Sequence, residues 1–237
     1  MAGSGTSRSI SDLFSRLGPR RAAAGEPEAV VAPGVEPDPI FPTKALRKFL
    51  SCLTARESPV LLDLGPVVGS NVSFFGEQLG CKILVEDLYA DLERHIRRGA
   101  LDALPAFFAA RFPQADGAVD GILCWDLLDY LDRPTAQALA EQLTRLLRPD
   151  GALLGFFGTM QPRDTHYTKY IVVDEGHLRH RPYSAARGRQ GILLNREIIR
   201  MFEGLLVSDS FLLKTNLREI LFRKPGSPAP DAPSSGA

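Results

Sequence analysis

The stretch VLLDLGPVVGSN, residues 60–71, runs from apolar residues into a carboxylate, Asp63, and then past two glycines, Gly65 and Gly69. An acid at a strand end accepts hydrogen bonds from a hydroxyl-bearing or cationic ligand. Glycines just beyond it let the main chain approach that ligand and aim the N–H groups of a starting helix at it. A loop of this kind expects a second acid about 20 residues further on, to hold ribose hydroxyls. There the run KILV ends in Glu86 and Asp87. A third set, Trp125 and Asp126, follows the apolar stretch 118–125. Backbone donors at one end and carboxylates at the other suit a nucleoside-like ligand. The plainer reading has Asp63 capping a helix, Trp125 packing as a partly buried aromatic, and Asp129 and Asp132 solvated or capping the helix after them.

Such residues meet only if a parallel sheet brings them together, and the hydrophobic pattern predicts one. Residues 59–64, 82–86, 118–125 and 152–157 are short apolar runs suited to strands covered on both faces. Between them, residues 70–79, 89–98 and 133–147 carry helical patterns, with Gly80 and Gly99 as stops. Strands alternating with helices imply βαβ units. An earlier helix is expected after Thr43, with Leu46, Phe49, Leu50 and Leu53 on one face. After a last helix at 195–202, residues 205–213 and 218–223 read as two strands with no helix between them, hence an antiparallel pair. The expected fold is a Rossmann-like, doubly wound α/β sheet.

The bulk numbers narrow the classes. The 237 residues suit one domain with tails, and 44% hydrophobic with 24% charged residues is ordinary for a globular protein. A formal net charge of zero provides no field for nucleic acid or a membrane surface. Cys52, Cys81 and Cys124 lie far apart, which fits reduced thiols in a cytoplasmic protein. No apolar run approaches the roughly 20 residues that span a bilayer. Residues 1–42 read as a short amphipathic helix (Ile10, Leu13, Phe14, Leu17) followed by a disordered linker, 43–224 as the domain, and 225–237 as a disordered tail.

Three segments together resemble the class I S-adenosylmethionine-dependent methyltransferases: the loop from Asp63 to Gly69, the run DGILCWDLLDYL from Asp120, and LLRPDGALL from Leu146. The resemblance covers about residues 44–224. It implies a mostly parallel seven-stranded sheet with an antiparallel closing strand, and S-adenosyl-L-methionine as cofactor. Asp63 would then lie near the cofactor's amino-acid end, and Gly65 and Gly69 would admit its approach. Glu86 or Asp87 would hold the ribose, and Trp125 and Asp126 would border the methyl donor. Val67 departs from the family, standing where its middle glycine stands, and the adenine-edge acid before the fourth strand is not evident. Those departures support an alternative, a catalytically degenerate binding or scaffold protein of the same fold. A nicotinamide-dependent oxidoreductase fits less well, because the spacing Gly-x-Gly-x-x-Gly is missing.

Methyl transfer from a sulfonium needs little beyond in-line placement, so no catalytic residue is assigned. The Pro-Pro signature of base-methylating enzymes is absent after residue 125, which argues against nucleic acid and for a small-molecule acceptor. Residues 160–190 are long for a connection and locally basic, with Arg163, Lys169, Arg179, Arg181, Arg187 and Arg189. They suit an acidic small molecule or a phosphate-bearing partner. A solvated strand edge is the bland alternative. His177 and His180 would fall on opposite faces of a strand, which is not a metal spacing. The pattern sets no oligomeric state.

Overall fold

A computed structural model describes residues 38–161 and 165–226. The amphipathic helix and most of the linker expected at 1–42, and most of the tail expected at 225–237, lie outside the described residues.

The main sheet has six strands in the order β3-β2-β4-β5-β9-β8. Strand β2 (Val60–Asp63) runs parallel to both β3 (Lys82–Val85) and β4 (Val119–Trp125), and β4 runs parallel to β5 (Leu147–Gly158). Strand β9 (Leu217–Arg223) lies antiparallel between β5 and the edge strand β8 (Leu206–Leu212). The expected seventh strand is absent among the described residues. The chain between β3 and β4 instead forms α3 (Leu88–Arg98) and α4 (Leu104–Ala110). Proline in the first turn of α4 favours helix start over strand pairing, and Leu104 and Phe108 bury as a helical pair. Among the described residues the sheet therefore ends at β3.

The helices follow from local chemistry. Asp87 caps α3 by accepting the Ala90 N–H at 3.0 Å, and Gly99 closes it at φ 65°. Asp132 caps α5 (Arg133–Leu146) by accepting the Thr135 N–H at 3.0 Å. Helix α1 (Ala45–Thr54) buries Leu46, Phe49, Leu50 and Leu53, as its pattern predicts. Its first N–H groups, at Lys44 and Ala45, donate 2.8 Å bonds to Glu219 from β9, a long-range cap. Gly121 on β4 makes this packing possible: a Cβ there would lie 2.5 Å from Leu53 and 3.0 Å from Phe49. After the glycine loop, α2 (Gly69–Val72) widens into a π-turn over Ser73–Gln78, and α6 (Asn195–Met201) precedes β8.

A second, three-stranded sheet has the order β1-β7-β6, built from β1 (Ile40–Pro42), β6 (His166–Asp174) and β7 (His177–Ser184). All its pairings are antiparallel. Strand β1 corrects the linker reading at its last residues, since Ile40, Phe41 and Pro42 pair with Arg179, Leu178 and His177. The basic segment 160–190 is therefore largely an ordered hairpin.

Candidate functional site

The carboxyl ends of β2 and β4 bring Asp63, Gly65 and Trp125 into one cluster. Asp63 Oδ1 accepts the Gly65 N–H at 2.9 Å and the Trp125 indole Nε1–H at 2.7 Å. Both side chains are buried, Asp63 to 5% and Trp125 to 3% exposure. Burial pushes the Asp63 carboxyl up to about 6, the two hydrogen bonds only partly offsetting the lost hydration. Trp125 closes β4 with φ 50°, a left-handed conformation that costs a non-glycine residue free energy. That bend turns the indole over the glycine loop. A Cβ on Gly65 would lie 2.9 Å from indole Cδ1 and Nε1, so Gly65 makes room for the protein's own tryptophan.

The indole is fixed from outside as well. It stacks on Tyr170 of β6 with centroids 5.2 Å apart and planes 8° from parallel, and meets Phe156 edge-on at 5.6 Å. Tyr170 is held in turn by Asn71, from the helix that follows the glycine loop. The Asn71 amide donates to the Tyr170 carbonyl at 2.8 Å, and its oxygen accepts the Val172 N–H at 2.8 Å. A side-chain amide so satisfies the open edge of β6, where a strand would otherwise pair.

The acids at the end of β3 are engaged separately. Glu86 pairs with Arg111 of the segment after α4 at 2.6 Å, and Arg111 also binds Asp91 at 2.9 Å. Asp87 accepts the helix cap described above. Val67 does not fill the loop: its side chain is 66% exposed, and a Cβ on Gly69 would meet open space.

Asp126 is fully buried, accepting the Tyr89 hydroxyl at 2.7 Å and Arg189 at 2.9 Å. Asp129, read from the sequence as solvated or capping, is instead 1% exposed. It accepts the Gly158 N–H at 2.7 Å and faces Arg189 at 3.2 Å. Burial raises its carboxyl to about 7, opposed by the Arg189 charge and reinforced by Asp126. For Arg189, burial works against the charge, yet the two aspartates outweigh it and hold the guanidinium more firmly protonated than usual. Arg189 thereby pins the segment after β7 across the end of β4, helped by the Gln190 N–H donating to the Asp129 carbonyl at 2.7 Å. His180 sits edge-on to Tyr170 at 4.9 Å, and burial lowers its imidazole to about 4, so it is neutral near pH 7. Among the described residues no cluster of His, Cys, Asp and Glu could hold a metal ion.

The roles of Arg189, Asn71 and Tyr170 are not visible in sequence. The one available signal was the spacing of Asp126 and Asp129: two acids in an apolar run, which need a cation if buried.

No family model matches the chain, and no curated protein does. Among solved structures it is similar to 1,6-didemethyltoxoflavin-N1-methyltransferase of Burkholderia thailandensis, solved with 1,6-didemethyltoxoflavin and S-adenosylhomocysteine. That match has 18% identity over 76% of this chain and 78% of that one, with a TM-score of 0.44. An S-adenosylmethionine-dependent methyltransferase of Clostridium acetobutylicum matches at 11% identity over 76% and 92%, with a TM-score of 0.47. The cyclase SpnF matches at 14% identity over 77% and 81%, with a TM-score of 0.47. Such a likeness is one of fold alone and says nothing of what this chain binds or does.

Proposed function

We propose that this chain is a methyltransferase-fold binding protein in which the amino-acid end of the cofactor crevice is closed by the protein itself. One observation carries the reading: the Trp125 indole lies on Gly65 and donates to Asp63, the two residues that would meet that end of S-adenosylmethionine. The residues present therefore do not fit the cofactor as they stand.

Magnitudes favour closure. Releasing the indole breaks a hydrogen bond to a carboxylate, about 1.5–3 kcal/mol, and two aromatic contacts at about 0.5–1.5 kcal/mol each. A total near 2.5–6 kcal/mol lowers the apparent affinity of any ligand that needs the open form by roughly seventy-fold to twenty-five-thousand-fold. Glu86 gives one carboxylate oxygen to Arg111 and Asp87 gives one to the α3 cap, which reduces what the pair offers a ribose.

A second reading keeps S-adenosylmethionine-dependent methyl transfer to a small, acidic acceptor, with Trp125 leaving the crevice when cofactor arrives. The outward Val67 and the open space at Gly69 favour it, because the loop's main chain stays approachable. Either reading fits a small-molecule partner rather than nucleic acid, in the cytoplasm. Among the described residues no helix is long and apolar enough to cross a membrane.

Calorimetric titration with S-adenosylmethionine and S-adenosylhomocysteine separates the two. Closure predicts no saturable heat at about 1 mM ligand. One-to-one binding in the micromolar range would overturn it in favour of methyl transfer.

A further inference from the structure

We propose that the groove between α3 and the end of β7 binds a small organic phosphate, its dianion on the arginines and its apolar or aromatic body against the β7 side. The inference does not rest on the closed crevice: it uses other residues and another ligand.

The groove is a cavity of about 780 Å³, within the range of small-molecule sites. One wall is the face of α3 that carries Ala90, Arg94, Arg97 and Arg98, and the other is the run from Tyr183 to Ala186. The walls are tied together, because Glu93 Oε1 accepts the Ala186 N–H at 2.7 Å. This site is thus preformed on a capped helix and a strand end.

Charge selects the ligand. Three arginines face two acids, and both acids already accept backbone N–H groups, Asp87 at the helix cap and Glu93 from Ala186. Arg94 is engaged by Asp91 at 2.8 Å. Arg97 reaches Glu93 only at 3.8 Å, and Arg98 makes no ion pair among the described residues. Two guanidinium forks at neighbouring positions thus keep most of their donors for a ligand, and the planar fork matches phosphate oxygens two at a time. The opposite wall is Tyr183, Ser184, Ala185 and Ala186, which sets apolar surface beside the Ser184 hydroxyl, and the Tyr183 hydroxyl is buried without a hydrogen-bond partner. Lys169 lies 5.2 Å over the Tyr183 ring and adds positive charge on that side.

Phenyl phosphate, which joins an aryl group to a dianion, is the probe, titrated calorimetrically beside inorganic phosphate, phenol and benzoate. Expected is saturable one-to-one binding, tighter for phenyl phosphate than for any of the other three. It should weaken about tenfold in the double variant Arg97→Gln/Arg98→Gln, and stay unchanged in Arg200→Gln, which removes an exposed arginine on α6. Both arginines are exposed, so the double variant folds as the wild type does. Absence of saturation at about 10 mM, equal affinity in the double variant, or tighter binding of benzoate than of phenyl phosphate would each overturn the proposal.

Discussion

The two ends of the α3 side of this molecule have opposite characters. Where β2 meets β4, a carboxylate, a glycine and a tryptophan have closed on one another, and Tyr170 of the second sheet, held by Asn71 of α2, locks the closure. Between α3 and β7, charged side chains line a cavity of about 780 Å³, and two of them, Arg97 and Arg98, keep most of their donors free. The first region carries the features that read as a cofactor site in sequence, yet it packs like core. The second reads in sequence only as a helix over residues 89–98, yet it is shaped like a site. Residue types suggest chemistry; whether their hydrogen-bonding capacity is already met decides whether a ligand is needed.

The contrast can be broken most forcefully at Trp125. Trp125→Ala should lose about 3–5 kcal/mol of stability, the cost of an emptied aromatic core position, measured as a shift in denaturant midpoint. A loss below about 1 kcal/mol would mean the indole is a loosely held lid. Arg189→Met should cost about 3–4 kcal/mol, because it leaves Asp126 and Asp129 buried without their cation. The same measurement checks it, and restoration by Asp129→Asn in the Met background would identify the uncompensated charge as the cause.

Asp63 predicts a pH dependence. Its folded carboxyl lies near 6, above the ordinary 3.8, so folding takes up a proton. The stabilisation this gives is complete below about pH 3.8 and is lost as pH rises through about 6. The stability of wild type relative to Asp63→Asn should therefore fall across that window, by about 3 kcal/mol at most. A difference that stays flat, or rises, would contradict the buried environment of Asp63. The smallest effect belongs to Asn71→Ala, which removes two hydrogen bonds to β6 and should cost about 2 kcal/mol. Hydrogen exchange at the Val172 amide should speed up by more than tenfold, with protection in β2 and β4 unchanged; equal loss everywhere would mean the two sheets do not separate.

Much of the fold was legible because its signals are local. Apolar runs bounded by turns, the Asp87 and Asp132 caps, and Gly99 in a left-handed C-cap place most elements within a residue or two. The missing seventh strand was less legible, since residues 101–112 are apolar enough for either state, and the proline that favours helix is a single residue. Strand β1 escaped because three residues carry no periodicity, and their partner lies more than a hundred positions away. The site divides in the same way. Asp63, Gly65 and Trp125 are neighbours in space, as the loop pattern implies. That they satisfy one another, and that Arg189 joins Asp126 to Asp129, depends on contacts some sixty residues apart in the chain, which no local pattern encodes.

Trp125 is the only tryptophan among the 237 residues, so intrinsic fluorescence reports on this position alone. The most direct measurement is its emission maximum and acrylamide quenching during titration with S-adenosylmethionine. A closed crevice predicts a blue-shifted, poorly quenched indole that does not change up to about 1 mM cofactor. A saturable red shift with rising quenching at micromolar cofactor would contradict it.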